Sequence, residues 1–419
     1  MSPTLKRPLF VLPFVAITLL NLSASADPVL TPKPNDLWVM AGDSITAQRL
    51  HTNYIEAFYR TRYPNLNLSF RNSGIGGNRT GSVLARFDYD VAAWKPTIVS
   101  IELAMNDVNE GDDPAKYIKG EGDLIKRIRD IKAQPVLISS SPVNDGSLPG
   151  NWKSDRCRRL DLYTNALKKL ADEENVVFVD QYHPLLDLWG QNHAKGAAEV
   201  AAHPDDKTLA KKYSTGFISL HGDAVHSGID GQYTMAATIL EALHVDHDVS
   251  SVTLKADGAV VDAKRCKLSD IVAKDGKLSF TRLDECSPWP IDPKAKAVVG
   301  LLPAINDLSR YMLTVPDLAP GNYVITINGK PAATLTEKEL AAGWNISTVF
   351  EGAIADRSTH VIGLIANLQG KLNNDWRAAS KEKNAEKLAA AQKAIDAAET
   401  EVRAACQPVA WRFEIQWGK

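Results

Sequence analysis

A serine, a histidine and an aspartate lie far apart in this chain, and together they have the chemistry to open an ester. Ser44 stands in Gly42-Asp43-Ser44-Ile45, which closes an apolar strand-like run and turns into a helical stretch. A serine hydroxyl is a weak nucleophile until a base takes its proton, and a strand-to-helix turn presents the oxygen where a base can approach. Near the far end of the same region, Asp223-Ala-Val-His226 offers the base, His226, and a carboxylate, Asp223, to orient its ring. Acyl transfer also needs donors aimed at the oxygen that becomes anionic. The Ser44 backbone N–H is one. Gly77, in Asn72-Ser-Gly-Ile-Gly-Gly-Asn78, can expose a second N–H, and the Asn106 side-chain amide, in Ala104-Met-Asn-Asp107, supplies a third.

These groups must be positioned by an alternating framework. Leu37 to Ala41, Leu66 to Phe70, Thr97 to Leu103, Pro135 to Ser139 and Val176 to Val179 read as strands. Ala47 to Arg62, Gly81 to Trp94, Ala115 to Lys132 and Ser154 to Glu174 carry helical spacing. Strands apolar on both faces, alternating with helices, imply a mostly parallel sheet covered on both sides. In such sheets the site lies at the carboxyl ends of the strands, which is where Ser44 and the segments after Phe70 and Leu103 fall. Val143 to Lys153 reads as a long rim loop, and His183 to Ser219 as helical with a break near His203-Pro204.

The blocks around Ser44, Gly77, Asn106 and His226, in this order, resemble the SGNH (GDSL-type) hydrolase family. The resemblance implies a flavodoxin-like three-layer α/β/α sandwich and an active site of Ser44, Gly77, Asn106 and His226, with Asp223 completing Asp-x-x-His. It spans about the first domain only. Ala104 stands where the family's third block begins with glycine, and the second block offers both Gly76 and Gly77. Gly77 is preferred because its spacing after Asn72 fits the family pattern better.

With 419 residues the chain exceeds what one core usually organises. Residues 1–26 read as a signal peptide: Lys6 and Arg7, an apolar run from Leu9 to Leu20, then Ala24-Ser25-Ala26. Residues 27–248 form the expected hydrolase domain. From 249 to 419 a β-sandwich-like appendage is expected, with an Asn328-Gly329 hairpin turn and a helical hairpin at about 353–406 that reads as a structural arm. Export places the product in a secreted or periplasmic compartment, with no stable membrane insertion after cleavage. An oxidising compartment favours disulfides, assigned here as Cys266–Cys286 and Cys157–Cys406.

A formal net charge of -2 argues against a broad nucleic-acid surface. No cofactor and no metal are expected: His244, Asp246, His247 and Asp248 read as solvated polar surface, and His221 as a loop residue. Asp43 is expected to hold its turn by hydrogen bonds. The expected activity is a secreted serine esterase using a Ser-His-Asp acyl-enzyme route, and a neutral His226 requirement makes turnover fall in acid. An O-acetylated carbohydrate is the favoured ester partner, with Trp152 and Tyr63 as stacking surfaces. The alternatives are a lipase or lysophospholipase-type esterase, or a non-catalytic glycan-binding protein on a hydrolase fold.

Overall fold

Five short apolar runs pair side by side because each can be buried on both faces. They are β1 (Leu37–Gly42), β2 (Ser69–Gly74), β3 (Ile98–Glu102), β4 (Gln134–Ile138) and β5 (Val177–Val179). All four pairings are parallel, in the order β2-β1-β3-β4-β5. The strand order reverses between β1 and β3, so the loops there diverge and open a crevice at their carboxyl ends. This computed structural model describes residues 30–109, 111, 113–143, 154–209, 225–300 and 302–418.

Helices cover both faces of the sheet: α1 (Ser44–Ala47), α2 (His51–Arg62), α3 (Thr80–Asp90), α4 (Met105–Asn109), α5 (Pro114–Asp130), α6 (Asp155–Glu174), α7 (Tyr182–Ala202) and α8 (Ile229–Ala242). Alternate side chains of β1 feed two cores. Val39 and Ala41 pack with Phe87 of α3, Leu124 of α5 and Leu160 of α6, whereas Trp38 and Met40 pack with Tyr54 and Phe58 of α2 and Tyr233 of α8. The result is the expected three-layer α/β/α sandwich.

Two local expectations shift. β2 begins at Ser69 rather than Leu66, because Asn67 adopts φ 56° and turns the chain first. The helix expected over Ala47 to Arg62 divides into α1 and α2, since Arg49 turns left-handed at φ 59°.

Beyond α8 the chain builds two further sheets from β6 (Asp248–Leu254), β7 (Val260–Lys264), β8 (Cys266–Lys274), β9 (Lys277–Asp284), β10 (Arg310–Thr314), β11 (Asn322–Ile327), β12 (Lys330–Thr336), β13 (Trp344–Asn345) and β14 (Ala410–Trp417). Their orders are β13-β10-β6-β7 and β12-β11-β14-β9-β8. Val252, Phe280, Leu313, Ile325 and Phe413 share the core between them. Asn328 and Gly329, at φ 50° and 74°, make the tight β11–β12 turn.

This second part is tied back to the first. After β9 the chain returns to α2 and α8, where buried Trp289 donates to Tyr54 O at 2.8 Å and stacks on Tyr233 with centroids 4.5 Å apart. A helical layer follows: α9 (Gly352–Lys371), α10 (Arg377–Glu382) and α11 (Ala385–Cys406). The single helix expected from Trp376 to Cys406 breaks at Lys383, φ 54°, and Asn384 caps the new start. Val361, Ile365 and Leu368 of α9 meet Ala391, Ile395 and Val402 of α11, and Ala57 of α2 joins the same cluster. Each isoleucine fully buried there is worth roughly 1.5–3 kcal/mol. The pair is therefore no free arm but a layer against the parallel sheet.

The two assigned disulfides are not formed, and none of the four cysteines is bonded to another. Cys157 belongs to the core under the parallel sheet and Cys406 to the helical layer, two separate clusters. Cys266 and Cys286 instead donate to Ser251 O and Val249 O.

Candidate active site

Close packing where β1 and β2 end decides where Ser44 stands. A Cβ on Gly42 would lie 1.9 Å from Thr46 Oγ1, and one on Gly74 would lie 2.4 Å from the Ala47 backbone nitrogen. Both strands end in glycine because α1 crosses directly over them. Asp43 caps that helix, its Oδ1 accepting from Ile45 N at 2.9 Å, as its expected turn-holding role requires. Thr46 Oγ1 ties the helix down to Glu102 Oε2 at 3.0 Å.

Half-buried Ser44 opens α1, and His226 Nε2 lies 2.7 Å from its Oγ. An imidazole nitrogen at that distance can take the hydroxyl proton as the oxygen attacks. His226 enters just before α8, and the next residue is anchored, because Ser227 O accepts from Gln48 Nε2 at 3.3 Å. Asp223 lies outside the described residues, as do His221 and Trp152.

The glycine-rich block continues from β2 as a tight turn. Ile75 N donates to Gly42 O at 3.2 Å and Asn78 N to Ile75 O at 3.2 Å, with Gly77 at φ 74° inside the turn. That positive φ at the third turn position is what glycine permits. Gly76 and Gly77 are both exposed, and Gly76 also adjoins Ser44, since a Cβ on it would lie 3.9 Å from the Ser44 Cβ.

Asn106, on α4, joins all three blocks. Its Nδ2 donates to Asn78 O at 3.1 Å and to Asp43 Oδ2 at 3.3 Å. The amide therefore bridges the glycine loop and the serine turn. Ala104 ahead of it takes φ 93°, a conformation that costs any residue with a Cβ and explains why glycine suits this position.

Beneath the serine turn lies a buried polar network with no counterpart among the sequence expectations. His51 Nε2 pairs with Glu102 Oε2 at 3.0 Å, and His51 Nδ1 meets Gln232 Oε1 at 2.5 Å. Gln232 Nε2 donates to Gln48 Oε1 at 2.8 Å, and Gln181 Nε2 donates to Glu102 Oε1 at 2.7 Å. Burial alone would disfavour charge on His51, but the adjoining Glu102 carboxylate outweighs it and raises the His51 pKa. Burial likewise pushes Glu102 upward, yet His51 and the amide and hydroxyl donors leave it below its ordinary value. Burial, reinforced by the charge of Glu102, pushes Asp43 up to about 7. The available signal was Glu102 itself, an acid at the end of a mostly apolar strand.

Other expectations resolve differently. Tyr63 follows α2 at the end away from His51, roughly 18 Å along at about 1.5 Å per residue, and packs on Tyr59 rather than on the site. Asp246 pairs with Arg265 and Asp248 with Arg310 on the solvated surface, and His247 Nε2 lies 3.3 Å from Glu241 Oε2. Among the described residues, no group of three or more His, Cys, Asp or Glu side chains could hold a metal ion, and no helix is long and apolar enough to cross a membrane.

Comparison with known proteins bears on the same region. Residues 40–210 match the GDSL-like Lipase/Acylhydrolase family. An acetylxylan esterase from Geobacillus stearothermophilus is 30% identical over 132 residues, which is 30% of this chain and 60% of that protein, so the match spans less than two thirds of the relative's length. Among solved structures, a gut microbial diltiazem-metabolizing enzyme superposes over 94% of this chain and 100% of its own, with a TM-score of 0.77 and 19% identity. That likeness shows a shared fold, including the part beyond α8. An acetylxylan esterase structure from Geobacillus stearothermophilus aligns over 52% of this chain and 98% of its own at 21% identity and a TM-score of 0.40.

Proposed function

We propose that this chain, which belongs to the GDSL-like Lipase/Acylhydrolase family, is an exported serine esterase that removes short acyl groups, most simply acetyl, from carbohydrate. The observation that carries this reading is the 2.7 Å contact between Ser44 Oγ and His226 Nε2. In the proposed route the Ser44 oxygen bonds to the ester carbonyl carbon while His226 takes its proton. Asp223 orients the imidazole and favours its charged form. The Ser44 N–H, the Gly77 N–H and the Asn106 amide hold the oxyanion of the tetrahedral intermediate. His226 returns the proton to the departing alcohol as the carbon–oxygen bond breaks. Water, deprotonated by the same ring, then releases the acid and restores Ser44.

Several features support the finer points. The charged, apolar and small-residue pattern of residues 1–26 supports export by a cleaved signal peptide, with 27–248 as the catalytic unit and 249–419 appended to it. The partial likeness to an acetylxylan esterase supports an acetylated carbohydrate substrate. Unrelieved polar burial is costly, so the polar groups kept around Ser44 speak against a purely binding role.

The test is a substrate profile. Purified protein should release acetate from acetylated xylo-oligosaccharides and hydrolyse acetyl esters well ahead of long-chain acyl esters. Preference for long acyl chains, or no ester hydrolysis at all, would overturn this reading.

A further inference from the structure

β2 is the outer strand of the parallel sheet and should present a row of unpaired backbone groups on its open side. Side chains of the helical layer pair with them instead. Gln369 of α9 accepts from Asn72 N at 3.1 Å and donates to Phe70 O at 3.2 Å, as a neighbouring strand would. Arg377, the first residue of α10, continues the ladder by donating to Asn72 O at 3.1 Å and to Gly74 O at 3.3 Å. Gly74 is the last residue of β2 before the glycine loop.

Arg377 also begins a chain of polar contacts that ends at the candidate oxyanion donors. Its Nε pairs with Asp90 Oδ1 at 2.8 Å. Asp90 Oδ2 accepts from Ser73 Oγ at 2.9 Å and pairs with Arg86. Arg86 in turn donates to Asn78 Oδ1 at 2.8 Å, to Ser73 O at 2.6 Å and to Gly42 O at 3.3 Å. Asn78 O is the acceptor of the Asn106 amide. Two guanidinium forks, bridged by the Asp90 carboxylate, thus bind the carbonyls on either side of the serine turn and the glycine loop. The backbone is shaped to deliver Arg377 there: a five-residue π turn, Leu372–Trp376, precedes it, and Trp376 stacks on Trp94 with centroids 3.6 Å apart. Such single π turns within helices are frequent at functional sites.

We propose that Arg377 is a positioning residue for catalysis: through Gly74 O and the Asp90–Arg86 relay, the C-terminal helical layer holds the glycine loop in the geometry that stabilises the oxyanion. This rests on the esterase reading of the site. Donors of an oxyanion hole act by being in place before charge develops, and a misplacement of about 1 Å can cost on the order of 10²-fold in rate.

The experiment compares wild type, Arg377→Ala and Asp90→Asn on a short-chain aryl ester, with Lys387→Ala as a control for an exposed pair in the same layer. Arg377→Ala and Asp90→Asn should lower kcat about 10-fold to 100-fold with little change in KM, and Lys387→Ala should change neither. Added guanidinium ion at millimolar concentration should restore part of the Arg377→Ala loss. The amides of Ile75 and Asn78, bonded to Gly42 O and Ile75 O, should exchange about 10-fold faster in Arg377→Ala. If Arg377→Ala does not fold, the isosteric Asp90→Asn and the conservative Arg377→Lys decide the matter by the same kcat and exchange readouts. Wild-type kcat and unchanged loop exchange in the folded variants would overturn the proposal while leaving the esterase reading intact. An inactive wild type would overturn both.

Discussion

Ser44 Oγ and His226 Nε2 stand 2.7 Å apart although 182 positions separate them in the chain. The distance is produced by two independent pieces of packing. One is the glycine-ended strand pair that lets α1 cross over β1 and β2. The other is the Gln48–Ser227 contact that anchors the chain directly after His226. Each residue is held by contacts of its own, so their approach does not rest on the serine–histidine contact alone.

The Asn106 amide should be needed for rate more than for binding. Asn106→Ala is expected to lower kcat by roughly 10²-fold to 10³-fold with a small change in KM, because the donor strengthens its bond only as charge develops on oxygen. Steady-state kinetics on an acetyl aryl ester checks this. A loss confined to KM would assign Asn106 to ground-state binding.

The buried Glu102–His51 pair should make stability depend on pH in a defined window. His51, with its pKa raised in the fold, contributes stability that is full below 6.5 and lost as pH rises through its folded value. Glu102, with its pKa lowered, contributes stability present above 4.5 and lost as pH falls through its folded value. The pair therefore helps most between those two limits. Glu102→Gln leaves His51 without its charge partner and should cost about 3 kcal/mol or more there. Urea unfolding across pH measures it, and a wild-type-minus-variant difference that stays flat from acid to alkali would contradict the pairing.

Asp43 should hold its proton near neutrality. Its folded pKa of about 7, against 3.8 for an ordinary aspartate, means the folded state keeps a proton that the unfolded state has released. Its contribution to stability consequently falls as pH rises from 3.8 toward 7. A carboxyl carbon titration assigned to Asp43 should show its midpoint close to neutral. A midpoint in the normal acidic range would show that the surroundings of Asp43 are wetter or more cationic than the packing implies.

Ala104→Gly should be tolerated, although a glycine usually weakens a buried position. Relief of the φ 93° backbone, about 1–3 kcal/mol, offsets the lost methyl burial of about 0.8 kcal/mol and glycine's entropic penalty of roughly 0.5–1 kcal/mol. Gly42→Ala should fail, because its methyl would lie 1.9 Å from Thr46 Oγ1. Thermal unfolding of the two variants should move in clearly different ways. A large drop for Ala104→Gly would mean that the residue is unstrained.

Much of this arrangement could be read before any coordinates. Alternation of apolar strands with amphipathic helices is a local pattern, and it foretold the parallel sheet, both faces of its core and the end at which Ser44 lies. The Asn328-Gly329 turn was equally local. Illegible were the contacts whose partners lie hundreds of residues away: Gln369 against Phe70 and Asn72, Arg377 against Gly74, and Trp289 under Tyr54. Each side chain alone looks like an ordinary polar or aromatic residue of its own element, and only the return of the chain gives it a role. The helix breaks at Arg49 and Lys383 were missed for the opposite reason, since positive φ at arginine or lysine leaves no mark in composition. The proposed disulfides misled because an export pattern says that thiols could be oxidised, not that they face one another.

The most direct measurement is covalent labelling of the intact protein by a fluorophosphonate, followed by peptide mass spectrometry. One phosphonyl group should be found, on Ser44, and labelling should collapse in His226→Ala while that variant retains its fold. A folded, unlabelled wild type, or a label carried by a different serine, would contradict the assignment of Ser44 as the attacking group.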